Sequence, residues 1–306
     1  MVVGHKTGNE KQNGGSREIG PGKKFEAGTR ENRRPFAQRR RRAIRNFVDG
    51  VFQSVGGNDW GFNMLNVLSG RQNKCRRMMV VGVPGVGKST LAAQSPRPVF
   101  IPTEDGIDDL DVPHFPKPNS FNEVLDDLGQ LGEEEHEFRT VVVDTVDWLE
   151  RLIHDQICSE QRVESIEKAS GEYGKGYVLA ARLFDQFLNA CDWLRENRKM
   201  HVILLAHARA ERFADPEHSD YDRYAPKLHK LISARCVEWC DEVFFANFKT
   251  FTKETTGSFG KTTVKAVGGG ERILRTTAKP TCIAKNRLAL PDELPLSWEP
   301  LANFYN

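Results

Sequence analysis

The sequence predicts an α/β chain with a mostly parallel central sheet, helices on its flanks and a smaller antiparallel extension toward the C-terminus. Three observations carry that expectation. Apolar runs at 78–81, 99–101, 140–144 and 202–206 alternate with longer segments of helical period, the order that builds parallel strands with helical crossovers. These runs are nearly continuous in Val, Ile, Leu and Met, as strands covered on both faces must be. Past residue 242 the pattern changes to strands spaced by glycines, which favours hairpins.

Taken in order, residues 1–63 read as a basic arm ahead of a core at 64–306. Residues 1–60 carry 13 Lys and Arg against six Asp and Glu, so a net charge of +2 for the chain leaves the remainder at −5. The arm's Gly, Asn, Lys, Arg and Glu show no apolar period, the composition of a segment that cannot build a core. Its block Arg39-Arg40-Arg41-Arg42 suits either a phosphate backbone or plain solvation. Residues 43–55 could form a short amphipathic helix. Translation starting at Met64 would make the whole arm an extension.

The core begins with a strand at 78–81 and a helix from Lys88 to about residue 94, ended by Pro96 and Pro98. A strand at 99–101 leads to Glu104, then come a helix at 121–131 and a solvated acidic turn at 133–137. A strand at 140–144 precedes a helix at 146–160 and a glycine-rich connector at 171–177. A long amphipathic helix follows at 178–197, then a strand at 202–206 that ends at His207. A polar loop is expected over 209–226, a helix at 227–239 and a strand at 242–248. Shorter strands at 262–267, 272–276 and 281–284 complete the chain, two of them paired around Gly268-Gly269-Gly270.

Composition excludes several classes. With 39% hydrophobic and 28% charged residues, the chain matches an ordinary globular protein. No apolar run approaches the roughly 18 residues of a membrane span, and no secretory h-region opens it, so a cytoplasmic location is expected. The six cysteines (Cys75, Cys158, Cys191, Cys236, Cys240 and Cys282) form no C-x-x-C pair, and no His or Cys follows closely on Cys236 and Cys240 to complete a zinc site. Reduced thiols are the expectation.

The chemistry concentrates on Gly82-Val83-Pro84-Gly85-Val86-Gly87-Lys88-Ser89-Thr90. A strand, a glycine loop and a helix in this order cradle phosphate oxygens with inward-turned backbone N–H groups. Lys88 would reach the β- and γ-phosphates of ATP, and Ser89 would ligate Mg²⁺. Asp144, at a strand tip expected next to the loop, would complete the metal's shell. For the base that orients the attacking water, Glu104 at another strand tip is the candidate, with Asp147 as its rival; Thr145 follows Asp144 where ring ATPases often carry glutamate. His207 ends a further core strand. It would either sense the γ-phosphate or be a histidine satisfied inside the core. Beyond it, Arg209, Arg212, Phe213, Tyr221, Arg223, Tyr224, Lys227 and Lys230 interleave cations with rings, which suits single-stranded nucleic acid. The interspersed acids suit an ordinary surface loop equally well.

Together these residues resemble the RecA-like recombinase core, a P-loop NTPase fold. Phe100-Ile101-Pro102-Thr103-Glu104 resembles the family's glutamate-bearing tip, and Val141-Val142-Val143-Asp144 its magnesium strand. Leu204-Leu205-Ala206-His207 falls where that family places a nucleotide-sensing glutamine, with a DNA-binding loop after it. The resemblance also implies that Lys285 and Arg287, in Ala284-Lys285-Asn286-Arg287-Leu288, act as trans fingers on a neighbouring subunit's ATP in a homo-oligomer. The wording Thr103-Glu104-Asp105-Gly106, Asp147-Trp148-Leu149-Glu150, Tyr173-Gly174-Lys175-Gly176-Tyr177 and Tyr221-Asp222-Arg223-Tyr224-Ala225-Pro226 is similar to a group of bacteriophage ATP-binding proteins regarded as single-strand annealing recombinases. That likeness implies an ATPase on single-stranded DNA in the host cytoplasm, working beside a single-strand DNA-binding protein. A packaging or remodelling motor and a small-molecule kinase are the alternatives. The likeness spans about residues 64–298.

Overall fold

The computed structural model describes residues 69–70, 72, 74–171, 173–256 and 262–305. The basic arm, the expected helix at 43–55 and Met64 lie outside them. The chain alternates β1 (Arg77–Gly82), α1 (Lys88–Ala92), β2 (Pro98–Pro102), α2 (Phe121–Glu133), β3 (Thr140–Asp144), α3 (Val146–Gln161) and α4 (Lys175–Trp193). Then come β4 (His201–Phe213), β5 (Tyr221–Pro226), α5 (Lys230–Trp239), β6 (Glu242–Thr256), β7 (Thr262–Arg275) and β8 (Glu293–Pro295).

One sheet in the order β2-β3-β4-β1-β6-β7-β8 holds these strands, with β5 paired to β4 off that path. The first five strands in that order are parallel, and β7 and β8 join them antiparallel. The expected architecture is therefore present. Strand side chains alternate between faces, and here both faces are buried. Met79, Val81, Val141, Val143, Val202, Leu204 and Phe245 pack under α2 to α5, against Phe121, Leu128, Ile153, Phe184 and Ile232. Met78, Val80, Val142, Ile203, Leu205 and Phe244 pack on the other face, under Leu91 of α1 and the C-terminal Trp298, Leu301 and Tyr305. All parallel strands thus point their C-terminal tips to one edge, where open α/β sheets bind ligands.

Five details differ from the sequence-based expectation. First, β4 separates β1 from β3, so Asp144 lies one strand away from the phosphate loop's strand rather than beside it. Second, the polar loop at 209–226 is a hairpin: β4 runs on past His207 to Phe213 and pairs with β5 from Ala208↔Pro226 to Phe213↔Tyr221. Its alternating charges read as loop because this part of the ribbon has exposed positions on both sides. Third, Gly268-Gly269-Gly270 lie within β7 instead of forming a turn, beside a register shift between Phe248 and Thr250. A Cβ on Gly268 would sit 3.1 Å from the Lys249 carbonyl oxygen, so strand pairing at this irregularity favours glycine. Fourth, residues 281–284 make isolated bridges, Cys282 to Tyr224 and to Lys279, rather than a strand.

Fifth, α4 starts at Lys175 and α5 at Lys230, each about a turn from its expected start. Gly176 is inside α4 because of close packing: a Cβ there would lie 2.0 Å from the Ile166 carbonyl oxygen. Backbone cannot yield that far cheaply. Gly176→Ala is therefore expected to destabilise the chain by about 1–3 kcal/mol or more through overpacking, measured by urea unfolding. An unchanged midpoint would contradict the packing described.

Candidate active site

The phosphate loop forms where β1 ends. Gly85 and Gly87 have φ of 72° and 103°, a left-handed backbone that glycine adopts without penalty. Gly82 is held against β6, since a Cβ would come within 2.8 Å of the Ala246 carbonyl oxygen. Val86 is fully buried in the second core and anchors the loop from beneath. Pro84, Gly85 and Thr90 are exposed at its rim.

Lys88 is buried beneath this loop, and its Nζ donates to the carbonyls of Gly82 and Val83, both at 3.3 Å. Burial pushes its pKa down, while the charges of Asp144, Glu104 and Asp147 oppose the shift. Ser89 Oγ donates to Asp144 Oδ2 at 2.5 Å, spanning the intervening strand. Burial holds the Asp144 carboxyl above its ordinary value despite that bond and the Lys88 charge.

The tip of β2 is tied to the tip of β3. Thr103 N–H donates to the Asp144 carbonyl at 2.8 Å, and Thr103 Oγ1 to that of Thr145 at 2.6 Å. These bonds deliver Glu104 to the crevice, where burial raises its pKa against the pull of His207. His207 Nε2 lies 3.7 Å from Glu104 Oε1, and its Nδ1 lies 3.0 Å from Asp147 Oδ2. Burial would raise Asp147 too, but hydrogen bonds from the His207 ring and backbone N–H outweigh it and lower its pKa.

A cavity of about 320 Å³ opens among Gly85, Gly87, Lys88, Ser89, Thr90, Glu104, Asp144 and His207. The donors fit magnesium and a polyphosphate. Among the described residues no group of three or more His, Cys, Asp or Glu forms a metal cage. Mg²⁺ needs none, because it is normally held by one or two carboxylates together with phosphate oxygens and water. Ser89 Oγ and Asp144 Oδ2, already in contact, are the hard oxygens that would hold it. Asp105 and Asp109 also help to wall the cavity, and Asp105 pairs with Lys117 at 2.8 Å.

One neighbour was not legible in the sequence. A Cβ on Gly87 would meet the Arg272 guanidinium at 2.8 Å, so a cation from β7 stands over the loop. Only the β6–β7 register reveals it.

Lys285 and Arg287 lie elsewhere. Lys285 pairs with Val243 at the start of β6, roughly 10 Å along the sheet from the loop at about 3.3 Å per residue. Its Nζ donates to the carbonyls of Val237, Glu238 and Cys240 at 2.9, 2.9 and 2.6 Å, closing the C-terminal end of α5. Arg287 pairs with Asp241 at 3.0 Å. Within the chain, both side chains thus have partners.

The expected nucleic-acid residues also divide. Arg223 pairs with Glu211 at 3.2 Å and covers the Phe213 ring at 3.8 Å. Tyr224 stacks on Phe245 with centroids 5.0 Å apart, and Tyr221 tilts against Phe213. These rings are engaged within the fold. Arg209 and Arg212 pair loosely with Glu211 and Asp220, both at 3.6 Å, and stay 44% and 65% exposed. Lys227 and Lys230 are exposed.

Next to the site, Glu150 of α3 is buried and accepts the His229 N–H on both carboxylate oxygens at 3.0 Å. The His229 ring stacks on Tyr177 at 4.1 Å. Burial pushes Glu150 up to about 7, against the His229 N–H and the Arg209 charge.

Two outcomes follow. Lys88→Ala is expected to remove measurable Mg²⁺–ATP binding in calorimetry while leaving the fold intact by circular dichroism. Folded Glu150 keeps its proton to higher pH than the unfolded chain does, so its contribution to stability is complete below about pH 4.5 and is lost as pH rises through 7. Glu150→Gln should therefore gain on the native protein across that window, by about 2–4 kcal/mol at roughly 1.4 kcal/mol per pH unit. A difference in unfolding free energy that does not vary with pH would contradict this.

No curated protein matches the sequence. Among solved structures, the crystal structure of the RadB recombinase is similar at 15% identity, covering 72% of this chain and 84% of that chain with a TM-score of 0.39. The family model described as an AAA domain matches residues 74–288, well over half of the sequence. The chain belongs to the AAA domain family.

Proposed function

We propose that this chain is a magnesium-dependent ATPase with a RecA-like core, acting on single-stranded DNA in annealing or strand pairing of the bacteriophage kind. The observation that carries the reading is the convergence of Lys88, Ser89, Asp144 and Glu104 on one cavity at the strand tips. When bound, Mg²⁺–ATP supplies an electrophilic γ-phosphorus and a good leaving group. Lys88 and the loop N–H groups hold the phosphates and spread the charge that develops in transfer. Ser89 and Asp144 would hold the metal. Glu104 takes a proton from the attacking water, and its raised pKa brings it closer to the working pH of a general base.

Support for DNA comes from the exposed cations on the β4–β5 ribbon and the residues after it. Arg209, Arg212, Lys227 and Lys230 remain available for phosphates. The Lys227 N–H donates to the His207 carbonyl at 2.8 Å, which links this segment to the strand end that carries His207. In a homo-oligomer, Lys285 and Arg287 would act on a neighbour's nucleotide only by giving up their present bonds.

The test is steady-state ATP hydrolysis by the full chain with no DNA, with single-stranded DNA and with duplex. Stimulation by single strands is expected. Transfer of phosphate to a metabolite, or no hydrolysis under any condition, would overturn the reading. Glu104→Gln should bind ATP normally and lose turnover by about 10²–10⁴-fold; turnover within tenfold of the native protein would remove Glu104 as the base.

A further inference from the structure

Asp147 is an alternative base by sequence, yet its geometry gives it other work. It is 5% exposed on the first turn of α3. Both its oxygens are spent on one residue: Oδ1 accepts the His207 backbone N–H at 3.0 Å, and Oδ2 lies 3.0 Å from His207 Nδ1. Asp147 is not among the residues that line the cavity. An ionised carboxylate only accepts hydrogen bonds, so a ring nitrogen at that distance must be the donor. With the hydrogen on Nδ1, a neutral His207 carries its lone pair on Nε2, the nitrogen that faces Glu104 at 3.7 Å. That separation exceeds a direct hydrogen bond, and His207 lines the cavity.

We infer that Asp147 is a positioning residue: it fixes the His207 ring and its tautomer so that the Nε2 lone pair faces Glu104 and the cavity. This deepens the ATPase reading and rests on it for its kinetic consequence, but the tautomer itself is a property of the nucleotide-free chain. Asp147 does not touch the reacting atoms. It acts through His207, as an orienting carboxylate acts on a histidine in other sites. In Asp147→Asn the side-chain amide can donate to Nδ1, which would place the ring hydrogen on Nε2 and turn an acceptor toward Glu104 into a donor.

The experiment has two arms, both on the full chain. The first is ¹⁵N spectroscopy of histidine-labelled, nucleotide-free protein at a pH where His207 is neutral, with its signals assigned by their loss in His207→Gln. Hydrogen on Nδ1 is expected in the native protein and on Nε2 in Asp147→Asn. Hydrogen on Nε2 in the native protein, or an unchanged spectrum in the variant, would overturn the proposal. The second arm is a double-mutant cycle in ATP hydrolysis. Asp147→Asn should lower kcat about 10–100-fold with KM for ATP within about twofold. In the His207→Gln background the same substitution should change kcat by less than about twofold; independent, multiplying effects would overturn the proposal. If the native protein hydrolyses no ATP, the ATPase reading fails while the first arm still decides the tautomer.

Discussion

Around Lys88 a buried ammonium is surrounded by more negative charge than it can neutralise, and the neighbouring structure is arranged to hold that imbalance. Asp144, Glu104 and Asp147 all act on it, while burial lifts Asp144 and Glu104 above their ordinary range. Withdrawing charges from water is expensive unless partners are well placed. The partners here are partial: two loop carbonyls for the lysine, one hydroxyl for Asp144, and the ring and backbone N–H of His207 for Asp147. A divalent cation would neutralise the excess carboxylate charge, and the phosphates would take the ammonium and the loop N–H groups. The apo geometry is complementary to a metal and a polyphosphate together, more than to either alone.

The sheet makes this arrangement possible. Buried on both faces, its central strands cannot slip by one residue without moving apolar side chains out of the core that each occupies. The tips of β1, β2, β3 and β4 are therefore fixed in register, and the residues just past them inherit that precision. Glu104 gains a second constraint from the Thr103 bonds to the end of β3. The helices contribute unequally. Along α3, Asp147 grips His207 and Glu150 grips the start of α5, so one helix face ties the nucleotide crevice to the segment that follows the β4–β5 ribbon.

Much of this was legible in the sequence, for physical reasons. The glycine spacing marks the loop because few other sequences permit its backbone, and unbroken Val and Leu runs mark strands covered on both sides. Glu104, Asp144 and His207 were located by their places immediately after such runs. What escaped detection depends on register and pairing. The β4–β5 ribbon looks like a loop because its charges face solvent on both sides, and the pairing of Arg223 with Glu211 depends on cross-strand register. Gly268-Gly269-Gly270 looks like a turn because sequence does not show that Gly268 is held close to the Lys249 carbonyl at a strand irregularity. Arg272 comes to the loop only through the pairing of β7 with β6, which no local pattern encodes. Asp147 is legible as a rival base, but its two bonds to His207 are a matter of three-dimensional aim.

The central claim is that one crevice grips the terminal phosphate and its metal together. The most direct measurement is a crystal structure of the full chain with Mg²⁺ and a non-hydrolysable ATP analogue. The metal is expected between Ser89 and Asp144, their mutual hydrogen bond opened, with Lys88 on the terminal phosphates and Glu104 facing the γ-phosphorus. A nucleotide seated elsewhere, or a metal that leaves the Ser89–Asp144 bond intact, would contradict it.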